Sequence, residues 1–370
     1  MGQWSDLPEQ FLEAIEERIV LYVDKVRLRS VCASWMYSTL PKLPHQKLHQ
    51  SPCLLLPYST CNNSVHTACG LFSPLDKKFY HLDLPELESK MFKGSSHGWV
   101  VTSDYSSSLC LLNPLTRAQL KLPLTSYFLD TGHYDKIIFS TSPANDDEYV
   151  TVAVNGKYEE LKYCRKGYTK WVHLHDESWL GFVDVIFFKG KLYALDQYGG
   201  LFTGEIGAPS IMEVERDGPF TATPRHYLVE CSGGLLMVDR IFCLDNSEDK
   251  NNIRSYVNVR TCGFKVYKLD VSCKSWVRVR DLGGDSLFLG KNLSSLISSG
   301  DFPGYKGNRI YFADDNPFIL DQAESEAINS DMGIYSLDDG LIESLHVPGY
   351  EDGAKNLCWP TPIWVLPKAK

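Results

Sequence analysis

The sequence of 370 residues predicts a mainly β protein with a small helical unit at its N-terminus. Residues 6–40 carry apolar side chains at helical spacing, whereas nearly everything after residue 53 alternates like strands and turns. The aromatic content of 12% also favours strands, because aromatic rings fit a pleated, half-buried surface. We therefore expect a helical unit in residues 1–45, a connector in 46–52 and a large β domain in 53–370.

Composition and charge restrict the partners that the chain can bind. With 44% hydrophobic and 22% charged residues, the composition is that of an ordinary globular protein. The net charge of −9 argues against nucleic acid as a partner, since neutralising phosphates requires a basic face. Apolar runs such as 182–188 are far shorter than a membrane span, so we expect no membrane partner.

The cysteines and the first residues indicate the compartment. The 11 cysteines are odd in number, scattered along the chain and without a C-x-x-C pair. The first ten residues contain neither the basic nor the apolar region of a secretory signal. Together these features predict reduced thiols and a location in the cytoplasm or the nucleus.

The N-terminal segment contains two helical stretches. Asp6 can cap a helix whose first turn contains Leu7 and Pro8, and the apolar residues that follow lie on one face of that helix. A second stretch has apolar residues three and four positions apart and ends before Pro41. About forty residues cannot bury an independent core, so this unit is either a helical cap on the β domain or a docking element for a partner protein.

These two stretches, "LPEQFLEAIEERI" and "VDKVRLRSVCASW", resemble the F-box, which attaches substrate receptors to the Skp adaptor of cullin-based ubiquitin ligases. The resemblance covers residues 5–40, with Phe11 at a position that is usually leucine, and it implies a three-helix fold. It also implies that the start of the first helix lies in a groove of the adaptor. Val31, Cys32 and Trp35 would hold the helices together and complete the contact surface. The adaptor-binding residues implied in this way are Leu7, Pro8, Phe11, Leu12, Ile15, Ile19, Leu28, Val31, Cys32 and Trp35.

A pentapeptide of the form apolar-Tyr-x-Leu-Asp recurs along the β domain. It occurs as "FYHLD" (79–83), "LYALD" (192–196), "VYKLD" (266–270) and "IYSLD" (334–338), each alternating like a strand and ending in a turn-forming residue. A strand pattern that recurs over about 260 residues indicates a β-propeller of about six or seven four-stranded blades. The alternative is a pair of β-sandwiches in which the matches arise by chance.

The two ends of the β domain are expected to pair with each other. The apolar strands "CLLLP" (53–57) and "IWVLP" (363–367) lie at opposite ends of this domain. Their pairing would close the ring of blades and remove an exposed sheet edge.

Further segments of the β domain resemble one group of plant proteins. "GSSHGWVV", "LLNPLT", "FKVYKLD", "DFPGYKGNRIYFADD" and "PIWVLP" occur in the order found in plant F-box proteins with a C-terminal kelch-like domain of unknown function. The resemblance spans much of residues 94–365 and is weakest between about 124 and 180. It implies that the β domain is a kelch-like β-propeller that recognises a substrate.

Catalytic patterns are weak throughout the sequence. Residues 94–98 match G-x-S-x-G, but a nucleophile elbow needs a helix after its serine, and the strand-like "WVVTSDY" follows His97 and Gly98. His173 and His175 alternate within one stretch, which favours a strand surface over a metal site. Acidic pairs such as Asp314-Asp315 are expected at solvated loop tips. We therefore expect a turn at Ser96 and neither a catalytic residue, a cofactor nor a metal.

The sequence thus predicts a non-catalytic substrate-recognition subunit of an SCF-type ubiquitin ligase. Such a subunit binds a Skp-type adaptor, and through it a cullin, and raises the local concentration of a protein target near the ubiquitin-charged enzyme. The acidic β domain favours a target with a basic surface, although neither the target nor the loops that bind it follow from the sequence. Two alternatives remain: an F-box scaffold or inhibitor acting outside the ligase, and a propeller enzyme or glycan-binding module with an incidental helical N-terminus.

Overall fold

Strands dominate the computed structural model, as the sequence predicts. The residues that it describes are 7–19, 28, 31–39, 51–59, 67–82, 84–104, 108–123, 135–144, 148–155, 160–174, 181–206, 208–212, 215–216, 225–245, 258–315, 331–347 and 361–366.

Among the described residues, the N-terminal unit contains the helices α1 (Glu9–Arg18) and α2 (Ala33–Ser38). Helix α1 begins directly after Pro8, whose fixed φ suits the start of a helix. The predicted cap Asp6, part of the second helical stretch and most of the connector lie outside the described residues. The three-helix fold of this unit therefore stays a prediction.

The described strands of the β domain form six sheets, which we number as blades 1–6. The predicted β-propeller is therefore confirmed, with six blades. Blade 1 contains the strand that is last in the chain. Blade 1 consists of β26 (Ile363–Val365), β1 (Cys53–Ser59), β2 (Thr67–Ser73) and β3 (Lys78–Leu82). Blade 2 consists of β4 (Met91–Ser96), β5 (Trp99–Ser103), β6 (Leu109–Leu112) and β7 (Gln119–Lys121). Blade 3 consists of β8 (Asp135–Phe139), β9 (Val150–Asn155), β10 (Glu160–Arg165) and β11 (Val172–His173).

Blades 4–6 complete the ring, and blades 5 and 6 each have five strands. In blade 6 the order from the channel outwards is β22-β21-β23-β24-β25, and β21 and β23 run parallel. Blade 4 consists of β12 (Phe182–Phe188), β13 (Lys191–Asp196), β14 (Leu201–Glu205) and β15 (Ala208–Met212). Blade 5 consists of β16 (Glu215–Arg216), β17 (His226–Cys231), β18 (Gly234–Asp245), β19 (Asn258–Asp270) and β20 (Ser275–Val279). Blade 6 consists of β21 (Asp285–Leu289), β22 (Ser295–Ser298), β23 (Arg309–Phe312), β24 (Gly333–Ser336) and β25 (Ile342–Ser344).

The core of the propeller lies between neighbouring blades. Six clusters of buried apolar side chains each join two adjacent blades around the ring of described residues. Successive side chains of a strand point to opposite faces of its sheet. Accordingly, Val100 of β5 packs between blades 1 and 2, while its neighbours Trp99 and Val101 pack between blades 2 and 3.

The predicted pairing of the two ends of the β domain is confirmed. Strand β1 pairs antiparallel with β26, with Leu54 opposite Trp364 and Leu55 opposite Ile363. Blade 1 therefore combines the first three strands of the ring with its last strand, and β1 has no free edge on that side.

The repeated pentapeptide marks strands, but these strands are not equivalent. Its four strict copies fall in β3, β13, β19 and β24, which are the fourth, second, third and fourth strands counted from the channel. The repeat thus indicated the architecture without giving the length of a blade. This explains why the sequence left the number of blades open.

One pair of cysteines departs from the prediction of reduced thiols. Cys243 of β18 and Cys262 of β19 form a disulfide with Cα atoms 5.8 Å apart, and both are exposed. The prediction is wrong for this pair because the register of two long antiparallel strands brings together cysteines 19 residues apart. The other described cysteines are free.

Candidate functional site

The helical unit has a small core of its own. It consists of three side chains that are buried against one another: Leu12 of α1, Trp35 of α2, and Leu28, which lies between the two helices in the chain. The partly buried Leu7, Ile19 and Cys32 pack around them. Six of the ten residues implied as adaptor-binding thus hold the helical unit together.

The other four residues of that set are exposed. Phe11 is 62% exposed and Ile15 39%, and they lie one turn apart on the same face of α1. Val31 is 56% exposed, and Pro8 lies exposed at the start of α1. Large apolar side chains that face solvent side by side, as Phe11 and Ile15 do, are typical of a protein interaction surface. We call this set the exposed apolar face: Pro8, Phe11, Ile15 and Val31.

Two further apolar residues are exposed on α2. Met36 is 37% and Tyr37 68% exposed, and neither belongs to the predicted set of adaptor-binding residues. The sequence does contain a signal for their exposure: both residues directly follow Trp35, and three consecutive residues of a helix cannot all point into one core.

In the propeller, the innermost strands of the six blades surround a central channel. These strands are β26, β4, β8, β12, β17 and β22. The segment between β21 and β22 crosses the channel, since Leu293 N donates a hydrogen bond to Ser95 O of β4 at 2.7 Å. Leu293 also packs against the clusters between blades 3 and 4 and between blades 4 and 5. The two ends of the channel are therefore separate surfaces.

A buried ionic network occupies the end of the channel where β8, β12 and β17 begin. Lys136 of β8 forms an ion pair with Asp184 of β12, and both are almost fully buried. Asp184 also accepts a hydrogen bond from Leu228 N of β17 at 2.7 Å. Burial lowers the pKa of Lys136, and the carboxylate of Asp184 opposes that shift. The network thus ties blades 3, 4 and 5 together.

Asp315 extends the same network to blade 6. It accepts hydrogen bonds from Arg225 Nη2 at 2.6 Å and Tyr227 OH at 2.8 Å, and it pairs with Arg240. Burial acts to raise the pKa of Asp315, but the two guanidinium groups hold it below its ordinary value. The expected position at a solvated loop tip is therefore wrong: Asp315 is 1% exposed and its charge is fully paired.

The opposite end of the channel, where β4, β8, β12 and β17 end, opens into a cavity of about 490 Å³. Its apolar lining includes Phe139 and Ile186 from two inner strands and Leu296 from β22. Its polar lining includes Ser294, which is buried, and Glu230, which is exposed. We call this space the end-face cavity. No local sequence pattern predicts this cavity, because its lining comes from five blades.

Ser96 lies directly before the predicted turn, not within it. It ends β4, and His97 and Gly98 form a two-residue hairpin turn into β5. Both turn residues have positive φ, 50° and 84°, as a type I′ turn requires. Ser96 is buried, and a strand rather than a helix follows, so the geometry is not that of a nucleophile elbow. The innermost strand of this blade is β4, and the strand-like residues Trp99–Val101 belong to β5, the second strand from the channel.

A metal site and a membrane span are two further features that the described residues could form. The described residues contain no group of three or more His, Cys, Asp or Glu side chains arranged to hold a metal ion. His173 lies exposed on β11, and His175 is outside the described residues. None of the helices that the described residues form has the length and apolar character needed to span a membrane.

The geometry defines a six-bladed propeller preceded by a helical unit with an exposed apolar face. The sequence profile of the KIB1-4 beta-propeller family matches residues 71–336, and the chain belongs to that family. The match begins within β2 and ends with β24, so the ring closure by β26 lies beyond it.

Relatives match the chain along nearly its whole length. F-box protein SKIP23 of Arabidopsis thaliana is 25% identical over 415 residues, covering 100% of this chain and 97% of its own. The probable F-box protein At1g65740 of the same plant is 26% identical, covering 89% of this chain and 95% of its own. Among solved structures, a putative TolB from Agrobacterium tumefaciens covers 80% of this chain and 89% of its own, with 8% identity and a TM-score of 0.38, which is too weak to support an argument.

Proposed function

We propose that this protein is a non-catalytic substrate-recognition subunit of an SCF-type ubiquitin ligase. Its helical unit binds a Skp-type adaptor and through it a cullin, and its propeller binds a protein target. Binding both partners brings the target close to the ubiquitin-charged enzyme, so the protein acts by raising a local concentration. We also propose that it works in the cytoplasm or the nucleus.

The exposed apolar face is the observation that supports this proposal most directly. The chain resembles proteins named as F-box proteins over nearly its full length, including the helical unit. Within that unit, Phe11, Ile15 and Val31 expose apolar area that its own core does not use. An amphipathic helix that offers such a face is suited to a hydrophobic groove on a partner.

Copurification with a Skp-type adaptor and a cullin tests the proposal. The double variant Phe11→Asp/Ile15→Asp removes the apolar contact while leaving the core of Leu12, Leu28 and Trp35 intact. The helix dipole favours an acidic residue at position 11, near the start of α1, but not at position 15, in its last turn, so circular dichroism of the variant must accompany the binding measurement. If Phe11 and Ile15 are interface hot spots worth about 2 kcal/mol or more, adaptor affinity falls at least about thirtyfold.

A matched control is available on the propeller. Leu341 is 63% exposed, nearly the same fraction as the 62% of Phe11. Leu341→Asp therefore makes the same kind of change, apolar to acidic, on the propeller instead of the helical unit. This variant should bind the adaptor as the wild type does. Full adaptor binding by the Phe11→Asp/Ile15→Asp variant would refute the proposed role of this face.

A scaffold or inhibitor outside the ligase is the second candidate, and it shares the same adaptor contact. The cullin separates the two: a ligase subunit copurifies with adaptor and cullin together. Recovery of the adaptor without cullin would favour the scaffold.

A further inference from the structure

The end-face cavity is apolar on its inner walls. Phe139 and Ile186 are 1% and 2% exposed, and the half-buried Phe187 and Leu296 continue this lining. Leu293, which crosses the channel, lines the cavity as well, so the cavity does not continue along the axis. A ligand must therefore enter and leave by this one face, and its buried part must be apolar.

A buried hydroxyl also lines the cavity. Ser294 is 3% exposed, and its Oγ has no hydrogen-bond partner among the described residues. Ser140, also in the lining, uses its Oγ to accept a hydrogen bond from Val150 N at 3.0 Å and can still donate its own proton. Buried polar groups are stabilised by a partner, and a peptide backbone offers both donors and acceptors.

The described lining residues of the cavity carry charge of one sign, while Lys268 and Asp285, one of each sign, act on Cys231 from outside the lining. Glu230 is exposed at the end of β17, and among the described residues of the lining it is the only carboxylate, with no Lys or Arg. The exposed turn residues Ser232 and Gly233 lie beside it in the chain and share the rim. A cationic group is therefore favoured at the mouth, while an anionic ligand is disfavoured.

We propose that the end-face cavity is the target-binding site and takes a short segment of the target protein. The segment inserts one large apolar or aromatic side chain between Phe139 and Ile186 and places a lysine or arginine beside Glu230. A volume of about 490 Å³ is within the range of ligand-binding pockets. The choice of a protein segment over a free small molecule rests on the proposed function, which requires a protein target.

A peptide selection with the full chain tests this assignment. The immobilised protein is offered a degenerate peptide library with a fixed central phenylalanine or leucine, and the retained peptides are sequenced. Three variants are treated in parallel. Glu230→Lys reverses the rim charge, Ser232→Trp narrows the mouth from an exposed turn, and Glu343→Lys makes the same charge change at an exposed site on β25.

The wild type and Glu343→Lys should enrich lysine or arginine next to the fixed residue. Glu230→Lys should weaken binding of a selected basic peptide about fivefold at low salt, because an attractive rim pair becomes repulsive, and high salt should shrink this difference. Ser232→Trp should weaken binding of every selected peptide. Failure of the wild type to retain any peptide, enrichment of acidic residues, or unchanged binding by Glu230→Lys and Ser232→Trp would each overturn the assignment.

Adaptor binding, measured on the same preparations, separates this inference from the proposed function. Glu230→Lys should bind a Skp-type adaptor as the wild type does. Conversely, the Phe11→Asp/Ile15→Asp variant should retain the selected peptides. A protein that binds the adaptor but selects no peptide refutes the cavity assignment alone, whereas one that selects peptides but binds no adaptor refutes the ligase role alone.

Discussion

Replacing Trp364 by alanine tests whether β26 holds the propeller closed. Trp364 is 2% exposed, and its ring packs edge-on against Phe288, with ring centroids 5.1 Å apart, and against Tyr311 at 6.4 Å. Its backbone pairs with Leu54 of β1, so one residue links the last strand, the first strand and blade 6.

The expected loss follows from these contacts. Removing a buried tryptophan side chain costs about 3–5 kcal/mol, and each aromatic pair contributes about 0.5–1.5 kcal/mol beyond the buried area. With two such pairs, Trp364→Ala should lower the free energy of unfolding by about 4–5 kcal/mol. Trp364→Phe should lose far less, because the indole Nε1 has no hydrogen-bond partner among the described residues and an aromatic ring remains.

Urea denaturation followed by circular dichroism measures this loss. Val277→Ala is the control, since Val277 is 44% exposed on β20 and its truncation should change stability by no more than about 0.5 kcal/mol. A chain that lacks residues 361–370 should be at least as unstable as Trp364→Ala. A loss below about 1 kcal/mol for Trp364→Ala would refute closure by this strand as a source of stability.

Two further predictions concern buried charge and the disulfide. Asp315→Asn should destabilise the propeller by about 3–5 kcal/mol, because it removes the buried carboxylate that Arg225 and Arg240 share, although Arg240 keeps its ion pair with Asp331. The pKa of Asp315 is lowered in the folded state, so Asp315 contributes its full stabilisation above about pH 4 and loses it as the pH falls further. The free energy of unfolding of Asp315→Asn should therefore fall less steeply in acid than that of the wild type. Equal slopes of the two proteins below about pH 4 would contradict this. Cys243→Ser/Cys262→Ser should lower the free energy of unfolding by about 3 kcal/mol without reductant, since the disulfide closes a short loop. Reductant should lower the melting temperature of the wild type but not of the double variant, and an equal response of both would argue against a stabilising disulfide.

The architecture was predictable because it depends on local patterns. Alternating apolar residues indicate strands wherever they occur in the sequence. The apolar strands at 53–57 and 363–367 could hydrogen-bond their free edges by pairing with each other. The blade number was less accessible, because the pentapeptide copies fall at different strand positions. In the helical unit the pattern identified apolar residues, but only the packing shows that Leu12 faces the core while Phe11, its neighbour, faces solvent.

Features that depend on distant residues were not predictable from the sequence. Arg225 and Asp315 are 90 positions apart, and no local pattern shows that the residue before β17 contacts the segment after β23. The turn-like context of Asp315 therefore suggested solvent, although its partners keep it buried. The same reason applies to the end-face cavity, where Phe139, Ile186 and Leu296 come from three different blades.

Closure of the ring by β26 also constrains when the protein can finish folding. β1 is synthesised about 310 residues before its partner strand, so at 5–20 residues per second it waits roughly 15–60 s on the ribosome. During that time its unpaired edge can associate with other extended chains. The final contact is also non-local, and such pairings form slowly. A nascent chain of this protein is therefore expected to need protection by chaperones until synthesis ends, and truncation near the C-terminus should lower the yield of soluble protein more than truncation of an exposed loop.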